Sequence, residues 1–194
     1  MKGPSKSTLL VIFFLFVFFN VECQKKGEIA PFSDGLYFKY KVIVDIGSSG
    51  EIIYRIKEMN TEYEIIVEYS LTLLPETMKH IVDIWGFIKE STEIKKHAKK
   101  IKKLKEFKGR RIVIWISPKE LQIGNKFKTS LGDLQVKEKR TWENWDVWVL
   151  KGNLGVEFYY DIKTGFLVGS HVPSLPMVGS TKRILIETNA DILH

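Results

Sequence analysis

The stretch YFKYKVIVDIGSSGEIIYRIKEMNTEYEIIVEYSL, residues 37–71, alternates apolar and polar side chains with a period of two. Three of its segments each place aromatic and β-branched residues on one face: Phe38, Tyr40, Val42 and Val44; Ile52, Tyr54 and Ile56; Tyr63, Ile65, Val67, Tyr69 and Leu71. Such alternation is typical of strands that bury one face and expose the other. The stretch therefore predicts three consecutive strands joined by short turns.

Strands are predicted to resume downstream, first in the apolar run RIVIWIS, residues 111–117. Six later segments follow: KFKTSL, LQVKEKR, DVWVLKG, VEFYYDI, FLVGSHV and TKRILIET. Short connections favour antiparallel pairing, and a sheet that long must curl, close or fold over. We therefore predict a mainly β (α+β) fold over residues 24–194, a curved antiparallel sheet or half-barrel of about ten strands in one domain.

A recurring phrase marks candidate turns: Val44-Asp45-Ile46-Gly47, Val82-Asp83-Ile84-Trp85-Gly86 and Tyr160-Asp161-Ile162-Lys163-Thr164-Gly165. In each copy, Asp can accept hydrogen bonds from the backbone that follows, and Gly tolerates a positive φ, so the phrase predicts hairpin turns. Residues 76–89, around the second copy, also show apolar residues at helical spacing: Met78, Ile81, Val82, Trp85 and Ile88. A hairpin and a helix both remain open there, and the Asp…Gly pattern favours the hairpin.

The stretch IKKHAKKIKKLKEFKGRR, residues 94–111, holds eight lysines, two arginines and one glutamate, a formal charge of +9. The whole chain carries +7, so the remainder amounts to 7 − 9 = −2. Ser91 or Thr92 can cap the start of a helix here, and Gly109 can end it. Apolar residues recur at helical spacing: Ile94, Ala98, Ile101 and Leu104. The pattern predicts one basic amphipathic helix over residues 91–107, packed against the sheet.

The N-terminus has the features of an export signal, because lysines precede an apolar run, LLVIFFLFVFF, over residues 9–19. The run is shorter than the ~20 residues that a membrane-spanning helix needs. Cleavage after Cys23, retention of residues 8–21 as an anchor, and a lipid on Cys23 all remain open. Residues 1–23 are thus predicted to be a signal peptide or N-terminal anchor of a secreted or extracytoplasmic protein. Cys23 is the only cysteine, so the domain has no internal disulfide. Abundant Lys, Glu and Ile with three glutamines is a composition reported for hyperthermophiles.

The segments IWISPKELQIGNKF (114–127) and VWVLKGNLGVEFYYDIKTGFLVG (147–169) carry a resemblance. Over roughly residues 110–170, the chain resembles a loose set of uncharacterised exported β-rich proteins of archaea that share a Tyr-Asp-x-x-Thr-Gly hairpin. This resemblance implies a structural signature and no chemistry. The architecture is more distantly similar to bacterial lipoprotein carriers of the LolA type, whose half-barrel holds acyl chains under a helical lid. No binding residue is carried over from that family.

Known catalytic and metal-binding patterns are missing from the sequence. No two of the four histidines stand at i, i+4 with an acid between them, and no Gly-x-Ser-x-Gly elbow or glycine-rich phosphate loop occurs. Ser170 and His171 are neighbours, which in a strand places them on opposite faces. We therefore predict no catalytic residue, no metal and no cofactor, although carboxylates paired across strands would escape detection.

Three tryptophans, Trp142, Trp145 and Trp148, lie close together around Glu143-Asn144, which has the composition of a hairpin turn. Most aromatic clusters in sheets are core residues or cross-strand pairs, and we expect the same here. Stacking on sugars or contact with a lipid interface is the alternative.

Binding or envelope structure is predicted over catalysis. The concave face of the half-barrel would hold a lipid-like or other hydrophobic ligand, with these candidate lining residues: Phe38, Tyr40, Tyr54, Tyr69, Trp115 and Trp148. The basic helix would serve as a lid or contact an anionic membrane surface or acidic envelope component through its lysines: Lys95, Lys96, Lys99, Lys100, Lys102 and Lys103. An ordinary solvated helix is the plainer alternative, and export argues against nucleic acid as a partner. An envelope-acting hydrolase using carboxylates and a structural subunit of a cell-surface assembly stay open.

Overall fold

The computed structural model describes residues 28–45, 49–70, 77–95, 100–175 and 179–190. Twelve strands in these ranges form one sheet: β1 (Tyr37–Val44), β2 (Ser49–Met59), β3 (Glu62–Tyr69), β4 (Thr77–Asp83), β5 (Ile88–Lys95), β6 (Lys100–Lys103), β7 (Lys126–Thr129), β8 (Gly132–Trp142), β9 (Trp145–Lys151), β10 (Glu157–Asp161), β11 (Leu167–Leu175) and β12 (Gly179–Thr188). Their order is β6-β5-β4-β3-β2-β1-β12-β11-β10-β9-β8-β7. Neighbouring strands pair antiparallel throughout. The predicted mainly antiparallel β fold is confirmed, with twelve strands in place of about ten.

One face of this sheet, here called the inner face, carries the core. The alternation in residues 37–71 predicts this buried face correctly. The side chains that it assigns to the inner face include eight that are at most 3 % exposed: Phe38, Tyr40, Val42, Ile52, Tyr54, Ile56, Ile65 and Val67. The intervening residues of the same strands are half-exposed or exposed. Binary patterning therefore fixes both the strand register and the buried side of this region.

The sheet is open at its edges, β6 and β7, but it curls strongly. In sheet order β5 and β7 stand second and twelfth, so about 48 Å would separate them in a flat sheet at roughly 4.8 Å per strand. Instead, Arg111 forms bridges both to Phe87, just before β5, and to Thr129 at the end of β7. Its guanidinium binds Glu120 through two hydrogen bonds of 2.5 and 3.1 Å, which holds this junction together.

The segment 111–117 was predicted to be a strand, and this prediction is wrong. Residues 112–116 are at most 1 % exposed and cross the inner face outside any strand. Their backbone bonds run to scattered partners, such as Gly86 and Gly165, and the Tyr160 hydroxyl donates to the carbonyl of Val113 at 2.7 Å. A short, continuously apolar run fits a buried strand or a buried irregular segment equally well, which is why periodicity could not separate them.

Two of the predicted turns are confirmed. Residues 84–87 connect β4 to β5, so the segment 76–89 is a hairpin and not a helix wherever it is described. The Asp83 carboxylate accepts hydrogen bonds from the backbone N–H groups of Trp85 (3.0 Å) and Phe87 (2.9 Å). In the same way, Asp161 accepts from the backbone N–H of Thr164 at 2.7 Å. The first copy of the phrase falls mostly on residues 46–48, which lie outside the described ranges.

The predicted helix over residues 91–107 is wrong. Residues up to Lys95 belong to β5 and residues Lys100–Lys103 form β6, with Ile94 paired directly with Ile101 across the hairpin. Apolar residues seven positions apart lie on one helical face, but they also face one another across a hairpin, so the pattern was ambiguous. In the described ranges the only helical pieces are three-residue 3-10 turns, Lys105–Phe107 and Asn153–Gly155. Residues 96–99 lie outside those ranges.

Lysine-rich strands form both edges of the open sheet. β6 reads Lys-Ile-Lys-Lys and β7 reads Lys-Phe-Lys-Thr. An open edge presents unpaired backbone groups, and lysines on it discourage pairing with another chain. This gives a physical reason for much of the positive charge near residues 94–111, where the described residues form a hairpin in place of the expected helix.

Residues 1–27, the predicted signal peptide or anchor among them, lie outside the described ranges. None of the described residues forms a helix long and apolar enough to cross a membrane.

Candidate functional site

A cleft of about 600 Å³ opens at one end of the inner face and is here called the Trp115 cleft. Its apolar lining combines the end of the buried segment with residues flanking β1, β11 and β12: Ile29, Pro31, Leu36, Trp115, Pro118, Phe166 and Ala190. Its polar lining is Glu28, Ser33, Lys119, Lys163, Thr164 and Asn189. The volume and the mixture of an apolar wall with a few polar groups are typical of small-molecule sites.

The back wall of the cleft is held rigidly. The Trp115 indole N–H donates to the carbonyl of Thr164 at 3.0 Å, and Thr164 is fixed by the Asp161 turn described above. Gly165 lies so close to the buried segment that a Cβ there would come 2.0 Å from the carbonyl oxygen of Ile116. Its φ is +72°, so the position requires glycine on two counts. The Tyr-Asp-x-x-Thr-Gly signature therefore acts structurally, by positioning Trp115.

Charged groups stand at the mouth of the cleft. The Glu28 carboxylate accepts hydrogen bonds from the Ser117 hydroxyl (2.5 Å) and the Lys119 ammonium (3.0 Å), and these bonds lower the pKa of Glu28 below its ordinary value. Lys163 is exposed at the same mouth. The cleft thus offers an apolar wall to the body of a ligand and charged or amide groups to its polar part.

The opposite end of the inner face gathers aromatic side chains around Arg183, and we call this cluster the Arg183 site. Arg183 is paired with the inward-facing Val42, and its guanidinium carbon lies 5.8 Å from the centre of the Tyr40 ring. The Tyr40 and Tyr54 rings meet edge to face at 5.7 Å. Burial raises the pKa of Tyr54, and the nearby Arg183 charge opposes part of that rise. Burial also raises the pKa of Tyr69, again against the influence of Arg183.

The six predicted lining residues fall into separate places. Phe38 packs on Phe166 at 4.8 Å in the middle of the core, and Trp115 lines the cleft. Tyr40, Tyr54 and Tyr69 come together at the Arg183 site. Trp148 lies on the inner face opposite Tyr160, whose hydroxyl reaches the buried segment, but it is half-exposed, with the Lys139 ammonium 4.4 Å from the centre of its ring. The structure thus divides the expected ligand surface into two ends with a filled centre between them.

The tryptophan cluster surrounds a hairpin, as expected, with the turn at Glu143-Asn144. On the outer face, Trp142 stacks on Tyr159 at 4.3 Å and covers Gly169. Beside them Glu157 binds both Arg140 and Lys151, and these partners, with Tyr159, hold its pKa at about 2 although burial alone would raise it. These contacts are cross-strand packing, and they occupy the flat faces of Trp142 and Tyr159 with one another.

The predicted membrane or anion contacts belong to the β5–β6 hairpin. Lys102 and Lys103 are exposed on the edge strand, and Lys95 and Lys100 end and begin the two strands. Lys96 and Lys99 lie outside the described residues. A second basic surface lies at the other edge, where a cleft of about 460 Å³ brings four lysines to one acid: Lys126, Lys128, Lys137, Lys151 and Asp133.

Each of the two clefts contains one carboxylate, Glu28 or Asp133, and not a converging pair. His80 and Ser91 are directly opposite each other on β4 and β5, but the His80 Nδ1 and Ser91 Oγ atoms are buried without a hydrogen-bond partner. Burial lowers the pKa of His80 to about 4. Within the ranges that the structure describes, no three His, Cys, Asp or Glu side chains gather to hold a metal ion.

Arg183 is the functional candidate that sequence reasoning missed. The alternation in TKRILIET places Arg183 and Leu185 on one face, and Leu185 is buried. A charged residue at an inward position of an apolar pattern was therefore the available signal. Glu28, in contrast, lies before the first strand, and no pattern in the sequence marks it.

No protein-family model matches this chain, and no curated protein matches it. Among solved structures, it is similar to a crystal structure of MucB, with 11 % identity, a TM-score of 0.37, and coverage of 81 % of this chain and 54 % of that chain. It is also similar to the Pseudomonas aeruginosa MucA/MucB complex, with 12 % identity, a TM-score of 0.39, and coverage of 80 % and 52 %. The chain thus spans about half the length of the solved chains it matches. Scores this low carry no argument about the function of this chain.

Proposed function

We propose that this chain is an exported, envelope-associated half-barrel that binds a hydrophobic or lipid-like molecule in the Trp115 cleft. The export signal proposed for residues 1–23 supports the location. The observation that carries the binding proposal is the cleft itself, about 600 Å³ with an apolar wall formed by Leu36, Trp115 and Phe166. That volume lies within the range of roughly 300–1,000 Å³ found for ligand sites.

The proposal differs from a ligand held along the whole concave face. Residues 112–116 already cover the centre of the inner face, and Phe38 and Tyr40 beneath are fully buried. A ligand therefore has room at the end of the sheet, where Ile29 is exposed and Trp115 forms the back wall. The buried segment takes the place that an acyl chain would occupy in an empty half-barrel.

A cleft-filling substitution tests the proposal. Ser33 is exposed at the cleft, and Ser33→Trp would place an indole in it, whereas Ser174→Trp adds the same group at an exposed position of β11. The probe is N-phenyl-1-naphthylamine, a neutral apolar dye that brightens when bound. We expect saturable binding by the wild type and by Ser174→Trp, and affinity weakened about tenfold or more in Ser33→Trp, since filling the site removes most of the contact area.

Equal affinity of Ser33→Trp and Ser174→Trp for the dye would overturn the proposal, and so would a wild type that does not bind it. Circular dichroism is the folding control, because both variants must retain the β spectrum of the wild type for their affinities to be compared.

A further inference from the structure

The guanidinium of Arg183 carries a charge that the described part of the chain does not pair with a carboxylate. The other four arginines each have a carboxylate partner: Arg55 with Glu68 (3.3 Å), Arg110 with Asp133 (3.2 Å), Arg111 with Glu120 (2.5 Å) and Arg140 with Glu157 (2.6 Å). Arg183 has none among the described residues, although it is half-buried on the inner face. An unpaired charge taken out of water is costly, so its retention calls for a partner that the chain does not supply.

Hydrogen-bond donors outnumber acceptors around this charge. The Nη1 atom of Arg183 is buried without a hydrogen-bond partner. The Tyr54 hydroxyl accepts a hydrogen bond from Arg183, but this oxygen is neutral and does not compensate the charge of the guanidinium. Arginine presents its donors in a planar fork that matches the oxygens of a carboxylate or phosphate. The missing group is therefore an anion with two oxygens or more.

The surroundings of Arg183 are apolar and partly open. Val44, Tyr69 and Met78 face inward, pack against the core and are half-exposed. Val44 lies two residues beyond Val42, the partner of Arg183 on β1. A bare inorganic anion would use none of this surface, whereas a hydrocarbon chain attached to the anion would cover it, at about 0.8 kcal/mol for each buried CH2.

We propose that Arg183 binds the carboxylate or phosphate headgroup of an amphiphile whose hydrocarbon chain lies against Val44, Tyr69 and Met78. This site is distinct from the Trp115 cleft and goes beyond the proposed function. Arg183 lies on β12, and Asn189, which lines the cleft, follows the end of that strand six residues later, a distance of about 20 Å at roughly 3.3 Å per residue. The fully buried Phe38 fills the core between the two ends.

Calorimetric titration with decanoate, decanol and inorganic phosphate at pH 8 tests the proposal. We expect the wild type to bind decanoate at least about tenfold more tightly than decanol, which has the same chain without the charge. Arg183→Met should abolish this preference. Arg55→Met is the matched control, since Arg55 is exposed and paired with Glu68, and it should keep the preference. Phosphate should compete with decanoate but bind more weakly alone.

The result that overturns the proposal is an unchanged preference for decanoate in Arg183→Met. Phosphate binding alone as tightly as decanoate would also overturn it, because the chain would then contribute nothing. Tyr54→Phe gives a second, milder variant that removes one hydroxyl beside the guanidinium and should reduce the preference about threefold. The Ser33→Trp variant separates the two sites: it should keep the preference for decanoate even if the proposal for the Trp115 cleft fails.

Discussion

The Trp115 cleft and the Arg183 site lie at opposite ends of one inner face. They differ in whether their buried polar atoms have hydrogen-bond partners. Beside the cleft, the Trp115 indole and the Ser117 hydroxyl both have partners at 3.0 Å or less. The buried polar atoms without a hydrogen-bond partner lie on β4, β5 and β12: Thr77 Oγ1, His80 Nδ1, Ser91 Oγ and Arg183 Nη1. Native proteins satisfy almost all such groups. The comparison teaches that the polar contacts beside the cleft stabilise the fold, while Arg183 retains a buried donor that reduces its stability.

Trp115→Ala should have the largest effect on stability. The change removes a buried indole and its hydrogen bond to Thr164, and we expect the free energy of unfolding to fall by about 4 kcal/mol. Urea denaturation followed by circular dichroism measures it. A loss smaller than about 1 kcal/mol would contradict the contrast between the cleft and the Arg183 site, because the cleft wall would then not be part of the stabilising core.

Gly165→Ala should cost about 3 kcal/mol, since the new Cβ meets the Ile116 carbonyl and the backbone adopts a positive φ. Gly35→Ala is the matched control: its φ is +76°, but nothing lies within 4 Å of the place that its Cβ would take. That variant should lose only about 1 kcal/mol. The difference between the two urea midpoints isolates the close approach of the turn to the buried segment, and equal losses would argue against it.

Stability should fall in mild acid because of His80. Burial lowers its folded pKa from 6.5 to about 4, so between those values the unfolded chain binds the proton and the folded chain does not. The contribution of His80 is fully present above pH 6.5 and is lost as the pH falls toward 4, by at most about 3 kcal/mol. His80→Gln should flatten the dependence of the urea midpoint between pH 7.5 and 5, and His171→Gln should not. A wild-type midpoint that does not change over this interval would contradict burial of the neutral imidazole.

Arg183→Met should change stability least. Replacing an unpaired half-buried charge by an apolar side chain of similar length relieves its desolvation and loses the contact with the Tyr40 ring and a hydrogen bond to Tyr54. We expect the free energy of unfolding to stay within about 1 kcal/mol of the wild type or to rise. A loss of several kcal/mol, measured in the same urea experiment, would mean that Arg183 is a structural residue and would remove the contrast with Trp115.

Local periodicity accounts for most of this fold but not for its interior. The alternation around Tyr40 and Tyr54 identified strands and their buried face, and Asp83 identified a hairpin turn. It failed in the predicted strand 111–117, where residues 112–116 are all apolar, and near Ile94 and Ile101, whose spacing suits a helix face and a hairpin pair alike. Contacts between residues far apart in sequence decide such cases, and a single chain does not display them.

The site was less accessible from the sequence for the same reason. Aromatic residues could be nominated because they are large and apolar, and three of them meet around one cation. Whether a given arginine has a carboxylate partner depends on strands distant in sequence, so the lack of one at Arg183 is visible only in three dimensions.

The lysines on the edge strands β6 and β7 influence how copies of this protein associate. Copies that approach border to border bring like charges together, at a distance where roughly 1 kcal/mol of repulsion accumulates for each close pair even in water. Polyanions bound along these edges would neutralise this repulsion. The outer edge of Lys100–Lys103 would then be free to pair with the same strand of a second copy, whereas Arg111 already binds the outer edge of β7. Neutralisation is therefore expected to yield dimers joined along β6.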